Sequence, residues 1–261
     1  MTRSAAHRTG RMSTTTALSI LDAYFAVFQK ARVVTWVLRW IREGAIDRES
    51  FTFLDAGCHQ GAMLHFMEKC RVFPSYIGAD IREDYLAQAR ALKPASRNGS
   101  KRVVRWVKVD LSTQEVRAQV GGGVDVACCL EVLEHMTRMD AYRSLANLVR
   151  VTTTGGFIIV GTPVNTRGKV FHRVEREGVL AHLNFLVEEE LLEFMNKAGT
   201  TLLHASPCYS VRSSYRVPRA LSVEMEHIRH LLGVAFRPFY CSVAKEPTGG
   251  GFYIFQKRGK E

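Results

Sequence analysis

The chain has 261 residues, 46% hydrophobic and 23% charged, with 36 Lys and Arg against 25 Asp and Glu for a net charge of +11. This length and composition exclude a disordered chain and give one large domain or a domain with an added cap, while the basic excess favours an anionic partner, DNA or RNA first and an acidic membrane surface second. No charge-free apolar run of membrane-spanning length occurs, which excludes stable membrane insertion. The six cysteines (Cys58, Cys70, Cys128, Cys129, Cys208, Cys241) contain no Cys-x-x-Cys and read as reduced core thiols of a cytoplasmic protein.

Met1 to Thr16 carries Arg3, Arg8 and Arg11 with no apolar h-region behind them, and reads as a loose basic tail. From Ala17 to Glu43, Leu18, Leu21, Phe25, Phe28, Trp36 and Trp40 recur at helical spacing, with Lys30, Arg32, Arg39 and Arg42 elsewhere around the wheel. Residues 17–50 are therefore expected to form a helical cap, packed as a lid beside the core or laid on a membrane surface. The remaining residues, 51–261, alternate apolar runs with helical patterns. Strands are expected at Phe51 to Ala56, Tyr76 to Asp80, Val103 to Val109, Val124 to Leu130, Phe157 to Gly161, Thr201 to His204 and Gly251 to Phe255. Helices are expected from Gly61, over Glu83 to Leu92, Arg138 to Arg150 and Glu188 to Ala198. The alternation specifies an α/β, doubly wound, mostly parallel seven-stranded sheet with helices on both faces. Gly121-Gly122-Gly123 and Gly155-Gly156 mark turns, Lys93 to Lys101 a surface loop, and about 207–250 an insertion on the substrate side.

The first strand ends in Asp55-Ala56-Gly57 and Gly61 follows four residues later. Glycine at such a turn lets backbone amides approach a ligand, and the helix behind it presents free N–H groups. A dinucleotide fingerprint needs its first two glycines two apart, and Ala56 and Cys58 break that register. Acids also end the later strands: Asp80, Asp110 and Glu131. One strand-end Asp is usually a turn former, but four in succession behind a glycine turn mark the carboxyl edge of an open sheet as a ligand site.

Asp-x-Gly-x-x-x-Gly, the three following acids and Glu131-Val-Leu-Glu-His135 together resemble the class I S-adenosylmethionine-dependent methyltransferases, a Rossmann-like family, from about Phe51 to Gly199. The resemblance implies that Asp55, Ala56, Gly57 and Gly61 surround the methionine part of the cofactor and that Asp80 binds both ribose hydroxyls. It further implies that Asp110 meets the adenine amino group, that Ile81 and Leu111 flank the ring, and that Glu131 borders the cofactor. The Glu-x-x-Glu-His form is similar to that of ubiquinone-pathway O-methyltransferases and of small-RNA terminal-ribose methyltransferases. Both use hydroxyl acceptors, and the Asp/Asn-Pro-Pro-Tyr/Phe motif of enzymes acting on exocyclic base amines is lacking. The resemblance and the charge therefore imply methyl transfer to a hydroxyl, ahead of an amine, of a nucleic acid or a nucleic-acid-linked group. A small-molecule O-methyltransferase and a non-catalytic cofactor-binding or nucleic-acid-binding subunit are the alternatives. By this resemblance Glu131, Glu134, His135 and His182 form a candidate set for a divalent metal. A metal-free catalytic histidine and a structural role stay open beside it. As general base for the acceptor hydroxyl, His135 ranks first and His182 second, with Glu131 beside them. Cations interleaved with aromatics at Arg167, Lys169, His172, Arg173, Tyr209, Arg212, Tyr215, Arg216 and Arg219 suit either a nucleic-acid surface or a solvated loop.

Overall fold

The computed structural model describes residues 29–92, 102–165, 183, 186–207 and 249–259. The basic tail, the cap up to residue 28, the 93–101 loop, the two cation-rich segments, His182, Cys208, Cys241 and residues 208–248 of the expected insertion lie outside the described residues.

The apolar runs form strands β1 (Thr52–Ala56), β2 (Ser75–Asp80), β3 (Val104–Lys108), β4 (Val124–Leu130), β5 (Thr152–Asn165), β6 (Leu186–Val187), β7 (Thr200–Pro207) and β8 (Gly249–Lys257). The helices are α1 over residues 29–42, α2 (Ala62–Lys69), α3 (Glu83–Ala91), α4 (Val116–Val120), α5 (Arg138–Val151) and α6 (Glu188–Lys197). One sheet runs in the order β3-β2-β1-β4-β5-β8-β7, with the two-residue β6 added beside β5. β8 is antiparallel to β5 and β7, and the pairs from β3 across to β5 are parallel. The chain winds outward from β1 to β3, then returns to β1's other side with β4. That reversal opens a crevice at the carboxyl ends of the strands.

Side chains alternate across this sheet with a period of two. Leu54, Ala56, Ile77, Ala79, Ala127 and Cys129 pack with residues of α4, α5 and α6 on one face. Phe53, Tyr76, Val126, Cys128 and Phe157 pack with α1 and α2 on the other. Burial on both faces explains why the parallel strands read as near-continuous apolar runs. It also puts Asp55, two residues from Phe53, on the face covered by α1.

The α1 helix presses Val33, Val34, Val37 and Trp40 into the core, and the Trp40 ring stacks on Phe157 with centroids 3.9 Å apart and planes 9° from parallel. Its apolar stripe thus faces the sheet. No helix among the described residues is long and apolar enough to cross a membrane.

Four features differ from the sequence expectations. β5 begins five residues earlier than expected and takes Gly155-Gly156 inside it; Gly155 has φ 79° and the pairing with β4 shifts register between Val124 and Val126, so the glycines serve a bulge, not a turn. The five-residue α4 and two-residue β6 are too short to show a periodicity. Glu134 and His135 belong to a separate 3-10 turn, Leu133–His135, because Thr137 starts α5 independently, its Oγ1 accepting the Asp140 N–H at 3.2 Å. Cys70 is exposed at the end of α2, whereas Cys58, Cys128 and Cys129 are buried free thiols as expected.

Truncating Trp40 leaves a void against Phe157 and detaches the cap from the sheet. Trp40→Ala is expected to lower unfolding stability by about 3–5 kcal/mol in urea denaturation. A loss below about 1 kcal/mol would show that α1 is not part of the core.

Candidate active site

Each strand around the crevice ends at or near an acid, and the structure holds each acid differently. Asp80 terminates β2 and is 8% exposed. Its Oδ2 accepts the His59 N–H at 2.8 Å and its Oδ1 the Arg82 N–H at 2.9 Å, so both oxygens are aimed while each keeps a further lone pair. Asp110, just beyond β3, uses Oδ1 to accept both the backbone N–H and the hydroxyl of Ser112 at 2.8 Å. Asn147 fixes the same turn by donating to the carbonyls of Leu111 and Thr113. The two apolar residues expected to flank a ring are unequal: Leu111 is buried in the core, whereas Ile81 is 59% exposed.

The glycine turn acts through space more than through its amides. Gly57 and Cys58 both donate to the Ala79 carbonyl, His59 to Asp80 and Gly61 to the Cys58 carbonyl, so four amides of the turn are engaged within the fold. These four amides serve the turn itself. Gly57 and Gly61 have φ of 83° and 79°, which glycine adopts without strain. A Cβ at Gly57 would lie 2.2 Å from Val132 Cγ2, and one at Gly61 2.5 Å from the Trp106 ring. The glycines therefore let the turn sit against the residue after Glu131 and against β3.

Asp55 is 6% exposed and accepts a hydrogen bond from the Tyr76 hydroxyl. Burial pushes its carboxyl up to about 6; the Tyr76 bond and the Lys30 ammonium oppose the shift, and the Asp80 charge adds to it. Lys30 on α1 is itself pushed down by desolvation, which Asp55 counteracts. α1 therefore brings a cation to the base of the crevice.

Glu131 follows β4 with φ 55°, a left-handed backbone that costs a non-glycine residue about 1–3 kcal/mol and recurs at functional sites. Its N–H donates to the Gly161 carbonyl at 2.8 Å, and its Oε1 accepts from Gln29 Nε2 at 2.8 Å. Glu134 is buried at 1% exposure, with Oε2 accepting from Thr162 Oγ1 at 3.1 Å and Oε1 lacking a donor among the described residues. Burial first, and the Glu131 charge second, raise its carboxyl well above the usual range. A proton held by Glu134 is then available to Glu131, and a neutral acid beside an anion resolves an otherwise repulsive pair.

His135 ends the 3-10 turn, its N–H on the Val132 carbonyl at 3.1 Å. Leu183, next in sequence to His182, donates its N–H to the Glu134 carbonyl at 2.7 Å. The expected metal set is not assembled among the described residues, where no three His, Cys, Asp or Glu side chains converge. Glu131 accepts from the Gln29 amide, and Glu134 accepts from the Thr162 hydroxyl with its carboxyl pushed up by burial.

Comparison with known proteins agrees with this geometry. Residues 54–158 match the methyltransferase-domain family, a span running from β1 into β5. Over 173 residues, 62% of this chain and 67% of the relative, the sequence is 27% identical to ubiquinone biosynthesis O-methyltransferase of Bordetella avium. The fold is similar to that of magnesium protoporphyrin IX methyltransferase of Synechocystis, solved with S-adenosylmethionine bound, with a TM-score of 0.57 at 13% identity over 95% of this chain and 86% of that one. It is also similar to the [4+2]-cyclase SpnF, with a TM-score of 0.53 at 17% identity over 88% and 81% of the two chains. Residues 54–158 thus carry a methyltransferase domain, on a fold similar to that of S-adenosylmethionine-dependent methyltransferases.

In this methyltransferase the sequence pattern located the strand-end acids but not the groups that hold them. Tyr76 and Thr162 looked like ordinary strand residues, Lys30 like a member of a helix wheel, and Gln29 belonged to no motif. Pairing of β1 with β2 brings Tyr76 to Asp55, β5 beside β4 brings Thr162 to Glu134, and the seating of α1 brings Lys30 to Asp55 and Gln29 to Glu131.

The raised Asp55 pKa has a definite sign. Its folded value, about 6, exceeds the ordinary carboxylate value of 3.8, so the stability it contributes is full at low pH and is lost as pH rises through about 6. Asp55→Asn, which cannot ionise, removes that loss. Between pH 5 and pH 8 the wild type is expected to lose about 1 kcal/mol relative to Asp55→Asn in paired urea titrations. Parallel pH profiles would mean that Asp55 ionises normally.

Proposed function

We propose that the enzyme moves the cofactor methyl to a hydroxyl oxygen of a small-molecule acceptor. The observation that carries the cofactor part is Asp80, whose two oxygens are aimed by backbone N–H groups while retaining acceptor capacity for a vicinal diol. In this reading the ribose sits on Asp80, the adenine lies by Asp110 between Ile81 and the turn at Leu111, and the methionine end crosses Gly57 towards Glu131. Asp55, Ala56 and Gly61 shape the floor.

The reaction is an in-line displacement in which the acceptor oxygen attacks the methyl carbon, the carbon–sulfur bond breaks and its electron pair stays on sulfur. The sulfonium is already activated, so the protein's task is to align the two atoms and exclude alternatives. An aliphatic or phenolic hydroxyl must also lose its proton, and we assign that role to His135 at the β4 edge, with His182 as the second choice and Glu131 as the neighbouring acceptor. No step is routed through a metal.

The hydroxyl acceptor is supported by the Glu131–His135 sequence together with the relative named as an O-methyltransferase. That relative favours a small molecule. A second reading, a hydroxyl on DNA or RNA or on a group carried by one, rests on the net charge of +11.

Two outcomes are expected. Asp80→Ala weakens S-adenosylmethionine binding about 30-fold or more in calorimetry, the effect of losing two charge-assisted hydrogen bonds; unchanged affinity would remove Asp80 from the cofactor site. Labelled methyl from S-adenosylmethionine, offered to catechols, sugar diols, RNA and DNA with and without EDTA, enters the small hydroxyl compounds irrespective of EDTA. Label confined to polynucleotide and abolished by EDTA would overturn both the acceptor class and the metal-free mechanism.

A further inference from the structure

Gln29, the first described residue of α1, has a side chain that no motif of the family pattern covers. It is 2% exposed, and its Nε2 donates to Glu131 Oε1 at 2.8 Å. A carboxylate oxygen only accepts, so this bond fixes the amide with its nitrogen towards Glu131 and its oxygen away from it. That oxygen, Oε1, is buried and has no hydrogen-bond partner among the described residues. It lies 2.6 Å from where a Cβ would stand on Gly161, so only glycine at 161 leaves it room. A buried acceptor left unpaired costs about 1–3 kcal/mol, and a site that retains one is short of a donor.

The surroundings specify what that donor is. Glu131 and the orphan oxygen offer acceptors and negative charge at one point on the β4–β5 edge. The Gly57 turn touches Val132, the residue after Glu131. From Asp80 on β2 to Glu131 after β4 is two strand spacings, about 10 Å, the span of a cofactor laid from its ribose to its amino-acid end. Resting on the reading that Asp80 holds the ribose, we infer that Gln29 is a cofactor-binding residue whose Oε1 accepts a hydrogen bond from the α-ammonium of S-adenosylmethionine, while its Nε2 holds Glu131 in place to face the same cation. The helical cap thereby supplies a specificity determinant for the methionine end of the cofactor, not merely a cover.

The test pairs two ligands with two proteins in calorimetry: S-adenosylhomocysteine and its analogue lacking the α-amino group, on wild type and Gln29→Leu. Wild type is expected to discriminate against the deaminated analogue by about 10-fold or more, as for a hydrogen bond to a charged group. Gln29→Leu is expected to bind the two within about threefold of each other. Thermal melts establish that the variant is folded, and Gln29→Met, unbranched and of similar length, replaces it otherwise. Full discrimination retained by the folded variant, or equal weakening of both ligands, would overturn the inference while leaving the Asp80 reading intact. Failure of wild type to bind either ligand would bring down that reading and this inference together.

Discussion

β1 pairs in parallel with β2 on one side and β4 on the other, and both neighbours end at the same edge, so three strand ends and the turns behind them crowd into one crevice. That crowding is possible because the turn after β1 has no side chains where it meets its neighbours: Gly57 abuts Val132 and Gly61 abuts Trp106. With those contacts made, Gly57, Cys58 and His59 reach across to Ala79 and Asp80 and tie β1 to β2. The same hydrogen bonds that close the turn orient the Asp80 carboxylate. Fold and site are here one set of contacts, which is why the glycines serve both.

Gathering acids at one edge carries an electrostatic cost, and the structure meets it three ways. Asp80 receives backbone donors. Asp55, sunk between sheet and α1, takes the Tyr76 hydroxyl and the nearby Lys30 charge and still titrates near 6. Glu134, deeper still, is driven towards its neutral form beside Glu131. The edge is negative enough to favour a sulfonium cofactor with an ammonium group, yet it is not a bare cluster of anions. The buried thiols share this environment. Burial pushes Cys58, Cys128 and Cys129 up, and nearby carboxylates push further, so they are inert packing groups and not nucleophiles.

Much of this was legible in the sequence because parallel strands buried on two faces announce themselves as apolar runs ending in turns. Asp55, Asp80, Asp110 and Glu131 stood at the ends of such runs, and the structure puts all four at one edge. Boundaries of β4, α3 and α6 fell within a residue or two for the same reason. What pattern does not encode is depth and offset across elements. The hydroxyl of Tyr76 reaches Asp55 from the neighbouring strand, and Gln29 meets Glu131 across 102 residues of chain. Helical spacing identified an apolar stripe on the cap but gave no hint that the polar residues at its start point into the crevice. Likewise, the left-handed backbone of Glu131 follows from the bond between its N–H and Gly161 on β5, which local sequence does not show.

A crystal structure of the enzyme with S-adenosylhomocysteine bears most directly on the central claim, that the β1–β4 crevice holds the cofactor between Asp80 and the Glu131–Gln29 pair. The predicted density has both ribose hydroxyls within hydrogen-bond distance of the Asp80 oxygens and the α-amino group at the β4–β5 edge. A cofactor bound with its ribose away from Asp80, or with the amino acid directed out of the crevice, would contradict it.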